Sequence, residues 1–506
     1  MSQLSLPKMT VLALVVAAWA ALAVCLALSD NPWTSEAWFA IPALNLLSRG
    51  TMGTTVLASQ GTWLTGIERH TYWIMPLHPL VQALWYKLVG FSLFRQRLLS
   101  IFFGGAALVS WFAIVRRLSG TYAAALVTVL IVGFEGGFLN GAANGRMDMM
   151  AAALGAAGLA AFLQLRERAP RASLLVSHSL VAAAVLTHPC GALFVAPLSI
   201  IMWYSAPGRP LAREFAIAAL PWLVGVLLWG AYIAQAPADF RSQFFGNVSG
   251  FAGEYLKRDR LSGIRAPWRA LWWELKLRYL LPFGFGSLQT KADWAGAVWL
   301  SLCAAAVLTA LCSKKLRGQT SVRILAASGI AIFLIMALFE GLKFPHYLVY
   351  SLPFAGALAA VAGTSLWRDP AHNYTRVGLC AALLAMAVPQ AIEAARHFVR
   401  NPLRAEFVPL AGWIQTRLGT QEHLIGPAEL GYVLGFNDSI SDDVRMGFYT
   451  GLRPRFIVTS YWYRDWVDAS AGREPDVHRH IQALLNGDYS LVLARGEYRV
   501  YEQKSR

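Results

Sequence analysis

The sequence predicts a polytopic α-helical membrane protein with a small α/β domain at its C-terminal end. Three observations carry this. Of 506 residues, 56% are hydrophobic and 14% charged, against about 25% charged in a soluble domain. Mean hydropathy is +0.46, and uncharged runs long enough to span a bilayer recur along the chain. From Ala394 the composition changes: Asp442, Asp443, Asp465 and Asp468 appear, with short apolar segments between Gly, Pro and Asp turns.

In chain order, Met9–Ser29 has no charge and follows Lys8. It is too long for a signal-peptide core and is expected to stay as a first span with a cytoplasmic start. Residues 31–96 contain no clean span and form a first outer segment. Within it, Ser35–Arg49 has an apolar side and a Thr34 or Ser35 cap, as suits a helix lying in the membrane interface. Leu80–Gly90 reads as a second such helix. Further spans are expected at Leu98–Val115, Thr121–Phe138, Asp148–Leu165, Ala172–Leu186, Gly191–Tyr204 and Phe215–Tyr232. Residues 235–290 form a second long outer segment, and Trp294–Cys312, Ile324–Phe339, Leu348–Trp367 and Val377–Ala391 complete the set. The total is about eleven spans at ~20 residues each. Each short loop assigned to the cytoplasm then carries Lys or Arg, as topology requires. An odd number of spans places residues 394–506 outside a plasma membrane as an extracytoplasmic α/β domain, after a membrane domain of residues 1–393.

The formal charge of +16 sits mostly between apolar runs, where it sets topology and meets anionic lipids. With no motif or basic soluble domain, nucleic acid is excluded as a partner. The five cysteines, Cys25, Cys190, Cys303, Cys312 and Cys380, form no CxxC and read as buried hydrophobes. There is no Walker loop, GxGxxG, GxSxG or zincin helix, which argues against a nucleotide-driven pump or a soluble-type hydrolase.

Candidate chemistry gathers at the outer boundary. Asp30 and Glu36 follow the first span, where a carboxylate is costly unless used or paired, and partial burial suits it to a base role. Arg146 and Asp148, in RMDMM, open another span as a phosphate ligand and a second acid. Lys343, His346 and Tyr347, in LKFPHYLVY, supply an ammonium, an imidazole and a hydroxyl at a helix break, suited to a phosphate. His70, His78 and His188 are candidates to line the cavity. Their spacing gives no metal motif, and neither a metal nor another cofactor is expected.

These motifs resemble the GT-C membrane glycosyltransferases, in the branch of protein O-mannosyltransferases and lipid A aminoarabinose transferases. SEAWF (Ser35–Phe39) stands where that family has an Asp-Glu pair and an aromatic after the first span. YWIMPLHPLVQALWYKLVGFSLFRQRLLSIFFG resembles its Pro-Leu segment, membrane-parallel helix and entry to the second span. RMDMM, LTHPCGALFVAPL and LKFPHYLVYSLPFAGALAA resemble later elements. The resemblance covers roughly residues 9–395. It implies a GT-C fold, a polyprenyl-phosphate sugar donor, and inverting transfer on the outer face to a lipid, glycan or protein acceptor. It also implies a catalytic carboxylate in the first loop, which is Glu36 here, helped by Asp30, with Asp148 as a second important acid. Two departures stand out. The family's aspartate is Ser35, and its Glu-Lys before the prolines is Ile74-Met75. Two other classes compete: a transporter or flippase of a lipid-linked glycan, and a noncatalytic envelope assembly protein. Polar residues gathered at the outer boundary, with no visible repeat, argue against a transporter.

Overall fold

The structure, a computed structural model, describes residues 6–205, 212–247, 262–285, 291–367 and 373–504. The basic residues Arg209, Lys257, Arg258, Arg260 and Arg368 lie outside them.

Among the described residues, seven helices are long and apolar enough to cross a membrane: Leu6–Ser29, Leu93–Ser119, Asp148–Leu165, Pro170–Thr187, Ala212–Ile233, Thr320–Phe339 and the Pro345–Trp367 pair of turn and helix. Ala212–Ile233 is almost wholly unburied, and Leu220, Leu223, Val226, Leu227 and Leu228 are each more than half exposed. An apolar surface of this extent is stable against lipid tails. The other expected spans fall on helices that differ from the expectation. Thr121–Phe138 is two helices, Tyr122–Gly133 and Gly136–Ala143, bent by 67°. The bend falls at Glu135, whose carboxylate takes the N–H groups of Gly137 and Phe138, each at 2.7 Å, and so starts a new helix. Gly191–Tyr204 begins as a 3-10 turn, Pro189–Phe194, before the helix Val195–Ser205. The helices Lys291–Cys312 and Asn373–Arg400 cover the last two. The change of architecture comes after Arg400, so the boundary expected near residue 394 falls inside a helix.

In the first outer segment the helix runs Thr34–Arg49. Its N-cap is Trp33, not Thr34 or Ser35, because Glu36 reaches back to the Trp33 N–H. It ends at Gly50 with φ 73°, a left-handed conformation that suits glycine. The second expected interfacial helix is Leu77–Val89. One continuous apolar core ties the membrane helices together around Trp19, Trp111 and Phe354. Of the cysteines, Cys303 is buried, Cys25 and Cys190 are half-buried, and Cys312 and Cys380 are exposed. The last two therefore depart from the expectation, since an apolar helix face turned outward carries small residues as readily as the core does.

The C-terminal domain is a five-stranded sheet: β1 Leu424–Ile425, β2 Ile440–Ser441, β3 Phe456–Thr459, β4 Tyr489–Arg495 and β5 Tyr498–Gln503, in the order β2-β1-β3-β5-β4. β1 is parallel to β2 and β3, and β5 is antiparallel to β3 and β4. Apolar clusters around Phe456 and Ile457, neighbours on one strand, pack its two faces. Beyond β2, Leu57 forms a parallel bridge to Asp442, with the Asp442 N–H donating to the Val56 carbonyl at 2.7 Å. The first outer segment thus continues the sheet edge and fixes the domain over the helices.

Candidate active site

A cavity of about 960 Å³ lies where the outer segments, the helix ends and the C-terminal domain meet. Its walls include Ser35, Trp38, Arg146, His188, Arg269, Glu340, Lys343, His346, Tyr347 and Trp462. The expected site residues divide into those that line it and those that build its frame.

Arg146 is the hub. It sits in the turn before the helix Asp148–Leu165, and its guanidinium lies 5.2 Å from the Phe39 ring. Nε donates to Asp148 Oδ2 at 2.9 Å, one terminal nitrogen to Ser35 Oγ at 2.6 Å, and the other contacts His346 Nε2 at 3.1 Å. Arginine only donates, so His346 Nε2 carries a lone pair. Asp148 is almost fully buried and, like Glu36, is not among the cavity-lining residues; its second oxygen, Oδ1, is buried and has no hydrogen-bond partner among the described residues. His188 Nε2 stands 3.8 Å from that oxygen. The Cys190 N–H donates to His188 Nδ1 at 3.0 Å, so in the neutral ring the proton is on Nε2, facing Asp148. Tyr347 packs against both histidines, with centroids 5.2 Å from His188 and 4.6 Å from His346.

Glu36 is fully buried and is not among the cavity-lining side chains. Arg97 holds it in a fork: Nε to Oε1 at 2.9 Å and a terminal nitrogen to Oε2 at 2.7 Å. The Gly145 N–H adds a bond to Oε1 at 2.6 Å and the Trp33 N–H one to Oε2 at 2.9 Å. The remaining Arg97 donors go to the carbonyls of Ala27, Asp30 and Asn31. All five guanidinium N–H groups are used, and each Glu36 oxygen accepts two bonds. The pair ties the end of the first span to the next span and to the Gly145 turn. A Cβ on Gly145 would come within 2.5 Å of the Gln96 side chain, so this close approach needs glycine. Gln96 in turn donates to the Glu36 carbonyl at 2.8 Å and accepts from the Tyr432 hydroxyl of the C-terminal domain at 2.8 Å.

Asp30 also lies outside the lining and faces His397 Nε2 at 2.6 Å. Burial raises its pKa, while His397 and Arg97 pull it down. Lys343 reaches the cavity wall, but its ammonium is spent behind it, on the carbonyls of Met336 and Ala337 at 2.7 and 2.9 Å and on Glu274 at 2.9 Å. These bonds close the end of the helix Thr320–Phe339 and hold Lys343 itself at φ 57°. Glu274 and Glu340 both pair with Arg278, completing a buried ion cluster. Of the other candidate histidines, His70 stacks on Tyr72 at 5.6 Å and does not line the cavity. His78 is buried edge-on to Phe39, and burial pushes its pKa down to about 3. Among the described residues, no cluster of three or more His, Cys, Asp or Glu is placed to hold a metal ion.

Sequence reading missed Arg97, Glu340 and Arg269. Arg97 lies in the QRLL stretch at the entry to the second span, where nothing in the local pattern singles it out. Arg269 is exposed at the cavity and, among the described residues, meets no carboxylate.

This arrangement of helices, long connecting segments and C-terminal sheet domain is shared with solved structures. The chain is similar over 97% of its length, and 97% of the other's, to ArnT from Cupriavidus metallidurans bound to undecaprenyl phosphate, with TM-score 0.63 and 16% identity. It is similar over 99% of its length to the oligosaccharyltransferase AglB from Archaeoglobus fulgidus, in complex with an inhibitory peptide and a dolichol-phosphate, with TM-score 0.55 and 14% identity, covering 75% of that chain. The arabinofuranosyltransferase AftD from Mycobacteria aligns with TM-score 0.52 and 14% identity, with 40% of its chain covered. No family model matches the sequence, and no curated protein matches it.

Proposed function

We propose that this protein is an inverting glycosyltransferase that takes a sugar from a polyprenyl-phosphate donor and passes it to an envelope acceptor on the outer face of a plasma membrane, with the N-terminus cytoplasmic and the C-terminal domain outside. The observation that carries the reading is the Arg146 hub: a guanidinium, an imidazole and a phenol converge on one cavity, and Asp148, paired to Arg146 and buried just outside the lining, keeps one oxygen without a hydrogen-bond partner among the described residues. The solved structures that share the fold and hold undecaprenyl phosphate or dolichol-phosphate support the donor class.

Arg146, His346 and Tyr347 meet the donor phosphate, with Arg269, which meets no carboxylate among the described residues, as a further cation on the same lining. Asp148 Oδ1 takes the proton of the acceptor hydroxyl, whose oxygen attacks the anomeric carbon opposite the phosphate. The bond from that carbon to the phosphate oxygen breaks, and its electron pair leaves with the polyprenyl phosphate. The cationic groups stabilise this anion, so no leaving-group acid is needed. A single displacement inverts the anomeric configuration. Asp148 takes the base role expected of Glu36 because Glu36 has no acceptor capacity left. Ser35, in the place of the family aspartate, orients Arg146.

The test reconstitutes the purified protein in vesicles with a 14C-labelled sugar on undecaprenyl phosphate and follows label into acceptor, with the product anomer assigned by NMR. Retained activity in Asp148→Asn, or a product of unchanged anomeric configuration, would overturn the mechanism.

A further inference from the structure

Four indoles line the same cavity, and the displacement at Arg146 uses none of them. Trp33, Trp38 and Trp73 come from the first outer segment and Trp462 from the helix after β3. The first three are held in place. Glu36 holds the Trp33 backbone, and Trp38 Nε1 donates to Asp442 Oδ2 at 2.7 Å. Trp38 meets Trp73 edge-to-face, with centroids 5.9 Å apart and planes at 79°. The Trp73 carbonyl accepts from the Asn247 side-chain amide at 3.1 Å, and Asn247 also lines the cavity. Two features remain unused: Trp33 is 46% exposed, and the Trp73 indole N–H has no partner among the described residues although it is buried. The cavity is also large. Its ~960 Å³ is near the top of the ~300–1,000 Å³ range of small-molecule pockets, which leaves space beside a donor headgroup.

Resting on the transferase reading above, we infer that these indoles form the acceptor subsite and that the acceptor presents a saccharide ring to them. A pyranose has an apolar C–H face and an edge of hydroxyls. An indole offers a flat apolar face and one N–H donor, and Thr34, Ser35 and Asn247 stand beside the indoles as polar groups for the hydroxyl edge. A polypeptide acceptor asks for something else, main-chain hydrogen bonding of the kind a strand edge gives. Among the described lining residues none belongs to a strand; the sheet domain offers the cavity only Trp462. The Trp38–Asp442 bond places this subsite across the joint between the membrane helices and the C-terminal domain, so that domain contributes to acceptor choice.

The experiment titrates the full-length protein in detergent with a pool of oligosaccharides released by mild acid from bacterial envelopes, and separately with Ser/Thr-rich peptides, and reads indole fluorescence. The oligosaccharide pool should give a saturable change that weakens about three- to tenfold in Trp33→Ala, the scale of one aromatic stacking contact, and returns in Trp33→Phe. Trp33 is exposed enough for both variants to fold. No saturable change with the oligosaccharides, or saturation by peptides alone, would overturn the inference. Saturable saccharide binding without any transfer from undecaprenyl-phosphate-linked sugar would leave the subsite standing and overturn the transferase reading instead.

Discussion

Two buried arginine–carboxylate pairs stand close together in this molecule and do different work. In Arg97–Glu36 every donor and each acceptor position is filled from within the protein. In Arg146–Asp148 one carboxylate oxygen has no hydrogen-bond partner among the described residues, and the guanidinium contacts two cavity-lining side chains, Ser35 and His346. Both pairs carry the desolvation cost of burial. The saturated pair offsets it with hydrogen bonds and acts as a clasp. The unsaturated pair leaves capacity for a ligand, which is what a reactive site needs. On the proposed reading, completeness of hydrogen bonding, more than the presence of an acid, separates frame from site here.

The comparison can be broken in four ways. The largest effect is expected from Asp148→Asn, which should cut transfer about 10²–10⁴-fold, the scale of a lost general base, while size-exclusion and circular dichroism stay those of the wild type. Next is Glu36→Gln, which leaves Arg97 buried beside a neutral partner. It should lower stability by about 3–5 kcal/mol, seen as a fall in Tm, and any protein that folds should keep most of its turnover per molecule. Equal stability with lost turnover would return the base role to Glu36. Arg146→Lys keeps the charge but loses the fork that spans Asp148, Ser35 and His346. Donor KM should rise by about ten- to a hundredfold, the scale of ~1.5–3 kcal/mol in hydrogen bonds to charged groups, with acceptor KM nearly unchanged.

The smallest effect concerns a third buried acid that lacks an arginine altogether. Glu429, under the sheet, takes hydrogen bonds from the Tyr498 hydroxyl at 3.3 Å and from the Thr34 side chain, and it meets no arginine among the described residues. Burial pushes its pKa up to about 8 from an ordinary 4.5. The folded state therefore holds a proton that the unfolded chain gives up. The stability linked to that proton is complete below about pH 4.5 and is lost as pH rises through 8. Between pH 7 and 8 the wild type should lose about 1 kcal/mol, and Glu429→Gln should flatten that slope in thermal melts. An unchanged slope would mean that Glu429 is already ionised.

Much of the plan was legible in the chain. Hydropathy is a local property, so apolar runs predicted helices, and THP and EGLKFPHY marked breaks that the structure keeps at His188 and Glu340. The tail's short apolar segments between Gly, Pro and Asp turns likewise predicted strands or strand-helix pairs, and strands stand at Phe456–Thr459 and in the hairpin Tyr489–Gln503. Arg146, Asp148, His346 and Tyr347, which the structure brings together at one cavity, were candidates because ionisable or polar groups at helix starts are costly near lipid. The same reasoning could not tell Lys343, which closes a helix end, from a phosphate ligand, since both roles put an ammonium at a helix break.

By itself, then, the sequence determined where the chain turns helical, where it meets the membrane boundary, and which charges gather there. The tertiary structure alone decided which of those charges are spent. Glu36 meets an arginine 61 residues away, and Arg146 reaches partners 111 and 200 residues away. Pairing across such distances depends on how whole helices pack, and no local pattern encodes it.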